Sequence, residues 1–88
     1  MNKLCWEPKA WDDYIYWQTQ DKKTLKRINE LIRDICRSGF VGIGKPEPLA
    51  GDLSGYWSRR IDGKNRIVYK IKNGKALITE CGSHYGDK

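Results

Sequence analysis

The dipeptide Asn73-Gly74 constrains this chain more than any other feature. Both residue types accept the positive φ that a two-residue hairpin turn demands. Strand-like segments flank it, 66–72 before and 76–81 after. A second tight turn, Asp62-Gly63-Lys64-Asn65, joins the first of these segments to another, 56–61. Strands joined by such short turns pair antiparallel, so this part of the chain reads as a three-stranded meander. Leu4, Cys5 and Trp6 form a short apolar run with β character, which predicts a first strand near the N-terminus.

Helical spacing fills much of the interval. Pro8 suits a first helical turn, and Trp11, Tyr14, Ile15 and Trp17 recur at the period of a helix over about residues 8–19. Trp11 and Tyr14 are expected to serve core packing and an interface, although four large aromatics here also fit a stacking platform for bases. Asp21 is a natural N-cap for a second helix. Leu25, Ile28, Leu31, Ile32, Ile35 and Cys36 form its apolar stripe, and Gly39 its stop. Residues 39–55, broken by Gly42, Gly44, Pro46, Pro48, Gly51 and Gly55, read as a loop or lid with at most a scrap of strand. The β-α-α-β-β-β order predicts a single α+β domain over 1–88, with both helices packed on one face of an antiparallel sheet.

A chain of 88 residues buries a modest core and gains from association with a partner or with itself. It carries 17 Lys and Arg against 11 Asp and Glu, a net charge of +6. That balance favours polyanions such as nucleic acid, or an acidic protein partner. Lys22, Lys26, Arg33 and Arg37 fall on one helical face away from the apolar arc. They make either a stripe for RNA phosphates or a solvated surface. Cys5, Cys36 and Cys81 are odd in number and lack metal-ligand spacing, so they read as small hydrophobes in a reducing cytoplasm, and no metal or cofactor is expected. No apolar run reaches the roughly 18 residues of a membrane span, and no signal segment is evident, so a soluble intracellular protein is expected.

Several residues carry possible chemistry. Arg60 and Arg66 lie on either side of a tight turn, where they become cross-strand neighbours. A phosphate between such forks, or separate pairing with carboxylates such as Asp52 or Asp62, would relieve their repulsion. Glu47 is fixed between Pro46 and Pro48, which aims a carboxylate reproducibly. His84 is the only histidine, and an imidazole titrates at about 6.5, where it exchanges protons at neutral pH. RNA self-cleavage needs a base for the 2′-hydroxyl, cations for the phosphorane and an acid for the leaving 5′-oxygen. Glu47, the arginines and His84 supply that set without a metal.

Taken together, the blocks resemble one family. They are Trp11-Asp12-Asp13-Tyr14 with Tyr16-Trp17, Lys26-Arg27-Ile28-Asn29-Glu30-Leu31-Ile32 and Gly42-Ile43-Gly44-Lys45-Pro46-Glu47-Pro48-Leu49, followed by Leu53-Ser54-Gly55-Tyr56-Trp57-Ser58-Arg59-Arg60-Ile61, Arg66-Ile67-Val68-Tyr69 and His84-Tyr85. In that order they resemble YoeB/Txe toxins of the RelE superfamily over nearly the whole chain. The resemblance implies a RelE/YoeB-like fold and a ribosome-dependent mRNA endonuclease of a toxin–antitoxin pair. It implies cutting in the ribosomal A site, a homodimer, and neutralisation by a YefM-like antitoxin of the Phd family. It assigns Glu47 as general base, His84 as general acid and Arg66 as the phosphate-stabilising arginine. Arg60 and Lys45 become supporting cations, and Tyr85 positions or stacks on a base. Arg59 joins the cations expected at phosphate. Ala50 and Asn65 depart from a lysine and a histidine common in the family. Two further readings stay open: a non-catalytic RNA- or protein-binding module, and a ParE-like gyrase poison on the same fold.

Overall fold

A computed structural model describes residues 1–82. The elements run β1 (Lys3–Trp6), α1 (Pro8–Trp17), α2 (Lys22–Ser38), β2 (Glu47–Pro48), β3 (Trp57–Arg60), β4 (Arg66–Lys72) and β5 (Lys75–Cys81). A 3₁₀ turn at Gly51–Leu53 lies between β2 and β3. Pro8 opens α1 where its missing N–H costs nothing. At α2 the Asp21 side chain accepts from the Lys23 amide at 3.1 Å and from the Thr24 hydroxyl at 2.6 Å. Gly39 ends α2 at φ 70°.

The sheet order is β1-β5-β4-β3-β2. Residues 57–81 form the expected meander, with Arg60 opposite Arg66 and Ile67 opposite Cys81. The sheet is not wholly antiparallel, however. β1 pairs parallel with β5, Leu4 opposite Ala76 and Trp6 opposite Ile78. The physical reason is the crossover: α1 and α2 carry the chain over one face, so β1 closes against a strand some seventy residues later in the same direction.

Both helices cover that one face. Ala10, Ile28, Leu31, Ile32 and Ile35 pack on Ile67, Tyr69, Ala76, Ile78 and Cys81 in a single cluster. Strand alternation sends Ser58, Arg60, Arg66 and Val68 to the opposite, helix-free face. Trp11 lies at the surface edge of this packing rather than inside the buried cluster. It is 46% exposed and packs edge-on against Trp6, with ring centroids 5.5 Å apart, beside Tyr14. Tyr14 is half-buried and bonds Asn29 of α2 at 2.7 Å.

β5 also breaks step. Val68 faces Glu80 while Tyr69 faces Ile78, so Thr79 is an extra residue bulged out of the ladder. Simple alternation from Ile78 would turn Glu80 inward and Cys81 outward. The bulge reverses this and buries Cys81 completely.

Candidate active site

The helix-free face gathers Glu47, Arg60 and Arg66. β2 is a two-residue edge strand, Glu47 opposite Ser58 and Pro48 opposite Trp57. An edge is where prolines are tolerated, because the missing amide faces outward. The carbonyl of Tyr56 accepts from the Leu49 amide at 2.9 Å and extends the attachment. Register then sets a row, Glu47–Ser58–Val68–Glu80, across four strands. Arg60 and Arg66 form the next row two residues along. With strands ~4.8 Å apart and a rise of ~3.4 Å per residue, Glu47 on β2 and Arg66 on β4, two strands across and two residues along, are separated by roughly 12 Å between backbones. Long side chains close such a gap around a phosphodiester. Glu47 and Arg60 are exposed and Arg66 is half-buried.

Lys45 stands just ahead of this row with φ 51°, in left-handed backbone that non-glycine residues seldom adopt. It is held by the loop before it. The Gly44 carbonyl accepts from the Arg60 amide at 2.7 Å, and Pro46 comes next in the chain. Gly42 is required by packing as well as by its φ of 129°: a Cβ there would sit 1.9 Å from the Asp34 carboxylate.

Arg59 does not serve a phosphate in this structure, contrary to the sequence expectation. It is completely buried. Its guanidinium donates to the carbonyls of Gly39 and Val41 at 2.9 Å, of Ile43 at 3.0 Å, and to the Tyr69 hydroxyl at 3.2 Å. It also pairs with the Asp34 carboxylate, which accepts in addition from the Ile43 amide at 3.1 Å. The hydrogen bond from Arg59 holds the Asp34 carboxyl below the usual carboxylate range. Arg59 is thus the staple of the 39–44 loop to the sheet. The signal was present: adjacent strand residues face opposite ways, so Arg59 and Arg60 cannot both lie on the helix-free face.

Asp62 is also spent internally. One carboxylate oxygen accepts from the Lys64 and Asn65 amides at 2.8 Å each, which shapes the β3–β4 turn. The Asn65 amide group adds a bond at 3.1 Å to the other oxygen.

The basic stripe of α2 lies elsewhere. Lys22, Lys26, Arg33 and Arg37 are all exposed. The last three border an open groove of ≈ 490 Å³ with Asn29, Glu30 and Ile43. This groove is on the helix side, so these cations do not join Glu47, Arg60 and Arg66. His84 and Tyr85 lie outside the described residues. The chain approaches them beside Arg66, whose carbonyl accepts from the Gly82 amide at 2.9 Å. Among the described residues no cluster of His, Cys, Asp or Glu could hold a metal ion, and no helix is long and apolar enough to cross a membrane.

Two helices on one face of a five-stranded mixed sheet define a RelE-type α+β toxin fold. More narrowly, the model of the YoeB-like toxin of bacterial type II toxin-antitoxin systems matches residues 6–85, and the chain belongs to that family. It is 53% identical to Toxin YoeB of Escherichia coli K12 over 94% of this chain and 99% of that one. A YoeB dimer from Staphylococcus aureus superposes with a TM-score of 0.85 at 45% identity, covering 96% of this chain and 98% of that chain. The heterotetrameric YoeB-YefM toxin-antitoxin complex of the same organism gives 0.87 at 44%, covering 97% and 99%. A shorter match, 36% identical over 59 residues, spans 61% of this chain and 64% of Endoribonuclease HigB from Proteus vulgaris. The chain is a toxin related to endoribonuclease toxins.

Proposed function

We propose that this toxin is a ribosome-dependent mRNA endonuclease that cuts message in the A site by acid–base catalysis, without a metal. The observation that carries this reading is the register of β2, β3 and β4. It gives Glu47, Arg60 and Arg66 to one helix-free face, in a family of toxins with endoribonuclease relatives. Glu47 takes the proton of the 2′-hydroxyl. The 2′-oxygen bonds to phosphorus as the P–O5′ bond breaks, and His84 donates a proton to the departing 5′-oxygen. Arg66, with Arg60 and Lys45, neutralises the charge that grows on the phosphorane. Tyr85 positions the nucleotide. The α2 cations Lys22, Lys26, Arg33 and Arg37 hold ribosomal phosphates away from the cut. The toxin works in the cytoplasm as a homodimer, and a YefM-type antitoxin of the Phd family silences it, as the relatives' assemblies suggest.

Primer extension on ribosomes programmed with a defined message tests the site. The parent protein is expected to leave a cut, and Glu47→Ala, Arg66→Ala and His84→Gln each to lose at least about a hundredfold in cutting rate. Undiminished cutting by all three would remove the assignment. Growth arrest through DNA damage with intact message would favour a gyrase poison.

A further inference from the structure

Helix α1 grips the end of β5 by both backbone polar groups of one residue. The Asp13 carboxylate accepts from the Cys81 amide at 3.2 Å, and the Trp17 indole N–H donates to the Cys81 carbonyl at 3.1 Å. Cys81 itself faces the core only because Thr79 is bulged out, and a bulge re-aims the side chains beyond it. One residue further, the Gly82 amide is tied to the Arg66 carbonyl at 2.9 Å. Consecutive residues at the strand's exit are therefore fixed, one by α1 and one by β4. Asp13 is only 14% exposed in its side chain and is steadied by Lys9 at 3.1 Å, one helical turn earlier. The exposed remainder of α1 takes no part in this.

We propose that Asp13 and Trp17 are positioning residues for His84, setting from the far side of the sheet where the proton donor enters the site. The proposal rests on the acid–base reading above. His84 is the second residue after Gly82, a reach of at most about 7 Å, so an anchor at Cys81–Gly82 bounds where the imidazole acts. Neither Asp13 nor Trp17 touches RNA. Their effect passes through the backbone of β5, and a displacement of about 1 Å in a reacting group is enough to cost on the order of a hundredfold in rate.

The test is single-turnover cleavage by the full chain on programmed ribosomes, with folding checked by circular dichroism. Trp17→Phe keeps an aromatic ring and loses the N–H. It is expected to lower the rate at saturating ribosomes by roughly tenfold to a hundredfold, with the half-saturating concentration unchanged. Asp13→Ala should do the same, and Asp13→Asn, which keeps an acceptor oxygen, should recover most of the loss. In a His84→Gln background Trp17→Phe should cost nothing more, because the group it positions is gone. A purely structural role predicts the same penalty in both backgrounds, and that result overturns the proposal. So does parental cutting by folded Trp17→Phe and Asp13→Ala while His84→Gln is impaired. Parental cutting by His84→Gln instead overturns the acid assignment beneath it.

Discussion

Arg59 sits with no solvent exposure and five acceptors around it, and removing water from a guanidinium is costly unless each donor is answered. Asp34→Ala leaves that charge unpaired. It should cost about 3–5 kcal/mol in urea unfolding, with Lys45 and Glu47 losing their support before the sheet does. The pair also sets an acid limit. Because Asp34 is held below its ordinary value of 3.8, the unfolded chain takes up the proton first as pH falls. The stability it contributes is complete above about pH 4 and shrinks below it as pH approaches the depressed folded value. Melting midpoints of the parent should therefore drop more steeply below about pH 4 than those of Asp34→Asn. Parallel profiles would contradict this. Cys81 offers a second check: burial, then the nearby Asp13 carboxylate, pushes its thiol up to about 12. An alkylating reagent at pH ~8 should label half-buried Cys5 in the native protein and spare Cys81 until the chain unfolds. Labelling located by mass spectrometry decides it.

At the scale of elements, α2 was the most legible part of the chain. Its apolar stripe, its Asp21 cap and its Gly39 stop are all local signals, and each stands where the sequence placed it. The meander was legible for the same reason, since its turns fix which strands pair. Two features depend on partners distant in sequence and left no local mark. One is the parallel pairing of β1 with β5. The other is the bulge at Thr79, which turns Cys81 inward where Asp13 and Trp17 of α1 meet its backbone. Arg60 opposite Arg66 was readable from turn length, whereas the use of Asp34 as the partner of Arg59 was not. The α2 stripe carries its own prediction. Replacing Lys26, Arg33 and Arg37 with Ala together should weaken ribosome binding. It should also flatten the salt dependence by roughly 0.7–0.9 in log–log slope for every phosphate that is no longer neutralised. A slope unchanged by the triple variant would make the stripe a solvated face.

On the scale of the whole molecule, the sheet separates two tasks. The face covered by helices holds the core, the Arg59 staple and, on its outer side, the cationic groove of α2. The helix-free face carries Glu47, Arg60 and Arg66, and β5 ends at Gly82 beside Arg66. A net charge of +6 favours polyanionic partners, while the register of three short strands sets which side chains share the helix-free face. The central claim is that the 2′-hydroxyl of the message is the nucleophile. The most direct measurement is the chemistry of the ends left by the cut on programmed ribosomes. The account predicts a 2′,3′-cyclic phosphate, or its hydrolysis product, facing a 5′-hydroxyl, and no cut where the 2′-hydroxyl is replaced by hydrogen. A 3′-hydroxyl facing a 5′-phosphate would contradict it, because water rather than the RNA itself would then have attacked.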